Sequence, residues 1–316
     1  MSLLDIASVL AATLRLAVPL ILASLGGLFS ERAGIVALGL EGMMLTGSFA
    51  AGSAAALTGS PCAGLMAAIA ASMLVALVHG VVTISQRGDQ IVSGIALNIL
   101  AAGLAPSLSL AWFGEGGETP ALAPAQRFMP IDRGSALGPL AHVLLGSQTL
   151  IVYLTLALLP LAWWLLYRSR FGLRLRAAGE NPHAVESAGL SVARLRYAAL
   201  LLCGAFAGLA GADLAIAEGA GFTRDMTAGR GYMALAALIT GKWRPGPTAA
   251  ACLIFAAADA LQLRLQGVPL PGIGIVPVQF IEALPYIAAL VLLAWFVGSA
   301  RAPAALGVRF DRSDRA

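Results

Sequence analysis

Charge is scarce in this chain. Only 11% of its 316 residues are charged and 59% are hydrophobic, whereas soluble domains carry roughly 25% charged residues. That excludes an ordinary soluble globular class, although length alone would suit two soluble domains. Cysteine is rarer still. Cys62, Cys203 and Cys252 all fall in apolar stretches, with neither a disulfide framework nor a metal-ligand spacing. His79, His142 and His183 are too scattered for a metal site or a proton relay. No Gly-x-x-x-x-Gly-Lys-Ser/Thr occurs, so the chain has no phosphate-cradling ATP loop of its own. Neither His-Glu-x-x-His nor Gly-x-Ser-x-Gly is present, which removes the common hydrolase chemistries. No arginine ladder suggests a voltage sensor. A membrane enzyme needs an acid, base or nucleophile juxtaposed in one site, and no such set emerges. No catalytic residue and no metal ligand is assigned, and this chain is expected to bind no cofactor.

What is present is apolar length. Hydrophobic segments run at roughly 9–29, 34–57, 62–83, 90–113, 148–167, 194–217, 229–241, 246–266 and 279–299, most near the length that crosses a bilayer. They are rich in Gly and Ala and show no period-2 alternation, so they are expected to be helices. The first run has no charged start and no small-residue cleavage site, and reads as a retained span. The fold class is thus an all-α integral membrane protein, a polytopic helical bundle of about 8–10 spans. One membrane-spanning domain covers 1–316: a first half at 9–167, a polar loop at 168–196, a second half at 194–299 and a tail at 300–316. Gly204, Ala207, Gly208 and Gly211 let helix backbones approach closely, which is generic packing.

The net charge of +4 needs no nucleic acid to explain it, because the basic residues flank hydrophobic runs. Arg168, Arg170, Arg174 and Arg176 have no acid among them; Lys242 and Arg244 share one short turn; Arg301, Arg309, Arg312 and Arg315 follow the last segment. This pattern assigns all three regions, including the C-terminus, to the cytoplasmic side of a multi-pass inner-membrane protein embedded in lipid. The 114–147 segment then lies outside, as does the N-terminus.

The loop contains Gly179-Glu180-Asn181-Pro182-His183-Ala184-Val185-Glu186-Ser187-Ala188-Gly189-Leu190. It reads as a short helix with both ends marked. Asn181 suits the N-cap, Pro182 the first helical position, and Gly189 the left-handed residue that closes a helix. An Ala184, Val185, Ala188 face suits a partner's groove, with Glu180 and Glu186 at the rim. The plain alternative is a solvated connection between two membrane helices.

Polar residues inside apolar segments form the next signal. Glu41 lies in Gly39-Leu40-Glu41-Gly42, and Asn98, Asp213, Thr240, Asp259 and Glu282 lie in or near other segments. A carboxylate at membrane depth is costly and faces a cavity, the bundle interior or a basic partner. Arg32 and Arg230 are candidate partners for Glu41, either as a structural tie or beside a solute. For Asp213, Asp259 and Glu282 the helix-end positions favour a structural role. Met44-Leu45-Thr46-Gly47 and Leu238-Ile239-Thr240-Gly241 each follow a polar, glycine-containing interruption, a faint echo of inverted repeats with broken helices. Chance similarity in a Gly/Ala/Leu-rich chain explains the echo equally well. The candidate pathway set is Gly39, Glu41, Gly42, Asn98, Arg230 and Thr240.

Four stretches then resemble one family in matching order: Ser30–Leu45 around Glu31-Arg32-Ala33-Gly34 and Gly39-Leu40-Glu41-Gly42; Asp89–Asn98; Arg176–Pro182; and Gly229–Pro245. Together, over about 15–300, they resemble the permeases of nucleoside and simple-sugar ABC importers. The resemblance implies translocation of a nucleoside or simple sugar, with ATP used by a separate ATPase subunit. It also implies a second permease, as a heterodimer, and an extracytoplasmic substrate-binding protein. The 179–190 helix corresponds to that family's coupling helix, which touches the ATPase. Ala37 departs from the family's usual Asn and leaves the particular solute open. Branched-chain amino acid permeases share the broader architecture. An ion-coupled secondary transporter is the rival of another class, and it would need coupling-ion ligands such as paired intramembrane carboxylates.

Overall fold

The computed structural model describes residues 3–132, 146–266, 269–270, 274–275, 277–296 and 301–310. His142, Arg133, Arg312 and Arg315 lie outside the described residues. Helices occupy all nine apolar segments. In chain order they are α1 (Leu3–Arg32), α2 (Leu40–Thr58), α3 (Pro61–Gly80), α4 (Gln90–Phe113), α5 (Leu150–Arg168), α6 (Arg170–Glu180), α7 (Pro182–Ser187), α8 (Val192–Asp213), α9 (Arg230–Thr240), α10 (Pro245–Leu265), α11 (Val278–Glu282) and α12 (Leu284–Phe296). Among the described residues, six are long and apolar enough to cross a membrane. One turn of π-helix extends α3 through Val81–Ser85 and another extends α8 through Leu214–Glu218.

Local chemistry fixes the helix ends. Asp89 caps α4, its carboxylate accepting from the N–H groups of Ile91 at 2.9 Å and Val92 at 3.0 Å. Ser169 caps α6 by accepting from Gly172 N–H at 2.9 Å. Pro61, Pro182 and Pro245 take first-turn positions where no N–H partner is lost.

The centre of the bundle is α8, which packs on α1, α2 and α3. Its glycines set that distance. A Cβ on Gly204 would meet Met73 Cα and Ser72 O at 2.8 Å, one on Gly208 would meet Ala68 O at 2.6 Å, and one on Gly211 would strike the Met44 carbonyl. The small-residue stripe therefore serves helix packing. The Phe29 and Phe206 rings stack across the same seam, 5.7 Å apart.

The element order recurs. In each half a long helix (α1, α8) is followed by unwound chain and then a buried helix (α2, α9). The N-termini of α2 and α9 meet, and α9 runs back towards the end of α1. Thus α2 and α9 point in opposite senses, as inverted repeats require. The unwound stretch lies between Glu31-Arg32-Ala33-Gly34 and Gly39-Leu40-Glu41-Gly42: residues 33–39 are non-helical, and α2 starts at Leu40 with Glu41 and Gly42 in its first turn. This irregular backbone survives because other groups satisfy it. Ile35 N–H donates to Ser30 O at 3.1 Å, Val36 N–H to Gln90 Oε1 at 2.8 Å and Ala37 N–H to Glu31 Oε1 at 3.3 Å.

The bundle has two distinct ends. At one, Gly179 O accepts from Ala305 N–H at 2.8 Å, Gly34 O from Gly307 N–H at 3.2 Å, and the Arg196 guanidinium donates to Ala33 O and Val308 O. The polar loop and residues 305–308 of the tail therefore share this end, and Arg32 brings the Lys242–Arg244 turn to it by donating to Trp243 O. At the other end, Thr119, Leu122 and Phe128 donate backbone N–H groups to Phe222, Ala220 and Ile216. There Ile131–Asp132 pairs antiparallel with Ser147–Gln148.

Candidate functional site

Two polar joints connect the halves. At the first, Glu41 Oε1 accepts from Gly229 N–H at 2.9 Å and Oε2 from Gly231 N–H at 2.6 Å. A carboxylate from α2 thereby caps the N-terminus of α9, where free N–H groups and the helix dipole favour negative charge. Neither Arg32 nor Arg230 forms an ion pair with it among the described residues. Gly229 sits at φ +80, and a Cβ on Gly231 would lie 2.6 Å from Glu41 N. These glycines let the carboxylate reach backbone.

Asn98 does the reciprocal task for α2. Its Oδ1 accepts from Gly42 N–H at 2.8 Å, while Nδ2 donates at 2.8 Å to both Leu38 O and Tyr232 Oη. Gly39 is the residue that caps α2, in close approach to Gly94 on α4. Thus Gly39, Glu41, Gly42 and Asn98 form one cluster. Thr240 stands apart, its hydroxyl donating to Ala236 O within α9. Arg230 also turns away, donating to Met226 O and lining a cavity with Asp259, Gln262, Glu282 and Tyr286.

The second joint lies at the basic end. Glu31, buried at 5% exposure, accepts from Trp243 Nε1–H at 2.6 Å. Arg32 Nε and Nη2 donate to Trp243 O at 3.0 and 2.7 Å, and Nη1 pairs with Glu180 at 4.0 Å. One side chain therefore touches the last residue of α6, just before the α7 cap, and the turn that closes α9.

Around α7, Asn181 Oδ1 accepts from Ala184 N–H at 3.0 Å, Pro182 is at the first position, and Gly189 has φ +79. The helix is where the sequence marked it, but its outer face differs from that expected. Val185 points inward, packing with Ala178 and Val192 and flanked by Leu190 and Phe310. The outward side is His183, Ala184, Ser187 and Ala188, with Glu186 half-buried and Glu180 exposed at the start. The His183 ring also lies 5.1 Å from that of Phe310.

Sequence reasoning missed α6. Its signal was present in Phe171, Leu175 and Ala178, spaced on one helical face. It also missed Trp243 and Tyr232 as partners of Glu31 and Asn98, because hydrogen bonds between the halves leave no local pattern.

The chain matches the family model described as the branched-chain amino acid transport system / permease component over residues 9–299. It is 35% identical over 303 residues to the nucleoside ABC transporter permease protein NupC of Lactococcus lactis subsp. cremoris, covering 93% of this chain and 94% of the relative. It is 35% identical over 315 residues to the guanosine ABC transporter permease protein NupQ of Bacillus subtilis, with 96% of each covered. A Haloferax volcanii protein, described provisionally as a glucose ABC transporter permease, is 35% identical over 305 residues, with 92% of each covered. Nearly the whole chain, both joints included, falls within these matches, and it belongs to the permease family of the branched-chain amino acid transport system type.

Proposed function

We propose that this chain is the permease subunit of an inner-membrane ABC importer for nucleosides or simple sugars. In this reading it has no ATPase site of its own, and a separate subunit hydrolyses ATP. An extracytoplasmic binding protein delivers the solute, and a second permease completes the pathway as a heterodimer. The basic end, with the C-terminus, faces the cytoplasm.

The observation that carries the mechanism is the Arg32 contact with both Glu180 and Trp243. It links α7, the proposed docking helix, to the ends of α1 and α9. A push on α7 reaches both unwound segments through a few polar contacts. Those segments move more easily than continuous helix, because side chains hold several of their N–H groups in place of a helical ladder. The Glu41 and Asn98 caps then act as the joint about which α2 and α9 shift, and Gly39, Gly42, Arg230 and Thr240 border the moving part.

The test is uptake in a strain deleted for the permease and complemented with this chain and its partner subunits. Labelled nucleosides, ribose, glucose and leucine are compared, with ATP depleted or the ion gradients collapsed. The proposal expects uptake of a nucleoside or sugar that needs ATP and survives collapse of the gradients. Leucine uptake alone would transfer the chain to amino acid transport, and gradient dependence would make it a secondary transporter.

A further inference from the structure

In the tail, residues 303–310 lie beyond 299, where the family match ends. They form a compact turn: Leu306 N–H donates to Pro303 O at 3.0 Å and Val308 N–H to Ala305 O at 3.3 Å. Ordering such a segment costs backbone entropy, and contacts on two sides offset it.

One side holds the unwound stretch after α1. Gly307 N–H donates to Gly34 O at 3.2 Å, and a Cβ on Gly307 would lie 3.4 Å from Val36 Cγ2. Gly34 has φ +92, and a Cβ there would come within 2.9 Å of Ala305 O. The other side holds α6 and α7. Ala305 N–H donates to Gly179 O at 2.8 Å and Ala304 N–H to Glu180 Oε2 at 3.3 Å. Phe310 packs beside Val185 and Val192, its ring 5.1 Å from that of His183. Arg196, 3% exposed, closes the sandwich by donating to Ala33 O at 3.2 Å and Val308 O at 3.4 Å. A buried guanidinium needs such partners, so Arg196 pins the tail and the unwound stretch to one point on α8.

We propose that residues 303–310 are a second coupling arm, a positioning element through which displacement of α7 reaches residues 33–39 and so the start of α2. This deepens the importer reading above and rests on it. Arg32 carries the motion to the turn after α9, and the tail carries it to the stretch before α2. Both buried helices then receive the same push through packed side chains and hydrogen bonds.

Hydrogen exchange on the purified full chain in lipid nanodiscs tests the link without transport, because amide exchange reads local opening. Phe310→Ala is made on the α7 side of the turn. Gly307→Ala, strained at φ +76, is made on the side facing Val36. Each raises exchange severalfold on the opposite side as well: at the Ile35 and Ala37 amides in Phe310→Ala, and at the Ala184 and Val185 amides in Gly307→Ala. Phe310→Leu, which keeps an apolar contact, restores wild-type exchange. Effects confined to the altered side overturn the arm. In the complete importer, solute moved per ATP hydrolysed falls severalfold in both alanine variants, while melting temperature and co-purification of the ATPase hold. An unchanged ratio in a folded, docked variant overturns the coupling role. If wild type imports neither nucleoside nor sugar, the importer reading fails instead, and the exchange result still decides whether the tail links α7 to residues 33–39.

Discussion

Glu41 Oε2 accepts the Gly231 N–H at 2.6 Å across 190 positions of sequence. The contact joins the first turn of α2 to the first turn of α9. A charged acceptor here is worth about 1.5–3 kcal/mol per hydrogen bond lost. Glu41→Gln keeps one acceptor and turns an amide NH₂ towards an N–H group, so the folded protein is less stable. Gly231→Ala has the same effect by forcing the backbones apart, whereas Gly246→Ala, in open space, is silent. Buried Cys203 and Cys252 report unfolding through a thiol-reactive dye in a Cys62→Ala background. Equal midpoints for Glu41→Gln and wild type would remove the tie.

The Arg32–Glu180 pair makes the opposite prediction. Glu180 is 54% exposed, and exposed ion pairs contribute about 0–1 kcal/mol. Glu180→Ala therefore leaves thermal stability nearly unchanged. If the pair transmits the ATPase stroke, uptake per ATP hydrolysed falls several-fold. Ala188→Glu, on the outward side of α7, weakens ATPase docking without destabilising the permease. Val185→Ala does the reverse, costing about 1–3 kcal/mol by opening a gap among Ala178 and Val192. Docking measured by co-purification, beside melting curves, separates the two classes.

These variants also show where sequence reasoning stopped. Asn181, Pro182 and Gly189 announced α7 because capping is local chemistry, readable within a few residues. Apolar length located the six long apolar helices among the described residues for the same reason. The inward turn of Val185 was not legible, because it depends on Val192 and Phe310 folding back from outside the motif. Glu41 was recognisable as needing a partner, but that partner is backbone. Arginine candidates were natural guesses, since a sequence displays side chains and hides free N–H groups.

Asp89 offers a pH test outside the spans. The N–H groups of Val92 and Ile91, with Arg309 nearby, hold its carboxyl below the ordinary carboxylate range. A depressed folded value means that Asp89 stabilises above its unfolded value, and that this contribution is lost as pH falls through the folded one. Wild type should exceed Asp89→Ala in stability at neutral pH, and the two should converge in acid. A constant gap across that range would assign the capping effect to something other than the carboxylate charge.

Orientation is the remaining physical question, and the arrangement of the two ends makes it decidable with two positions. Gly246 follows the Lys242–Arg244 turn, and Gly116 lies in the segment after α4; both have open space around them. Their cysteine variants should therefore fold. Arg32 ties the turn to the α7 region, and Thr119 ties the other segment to Phe222, so the two positions mark opposite ends. In sealed cells lacking Cys62, an impermeant thiol reagent added outside should modify Gly116→Cys and spare Gly246→Cys until the membrane is opened. The reverse pattern would invert the whole bundle and expose α7 to the outside, where no ATPase could reach it. Modification of both from outside would break the assignment of ends itself. Either result would remove the coupling role proposed for α7, while leaving the Glu41–Gly231 joint untouched.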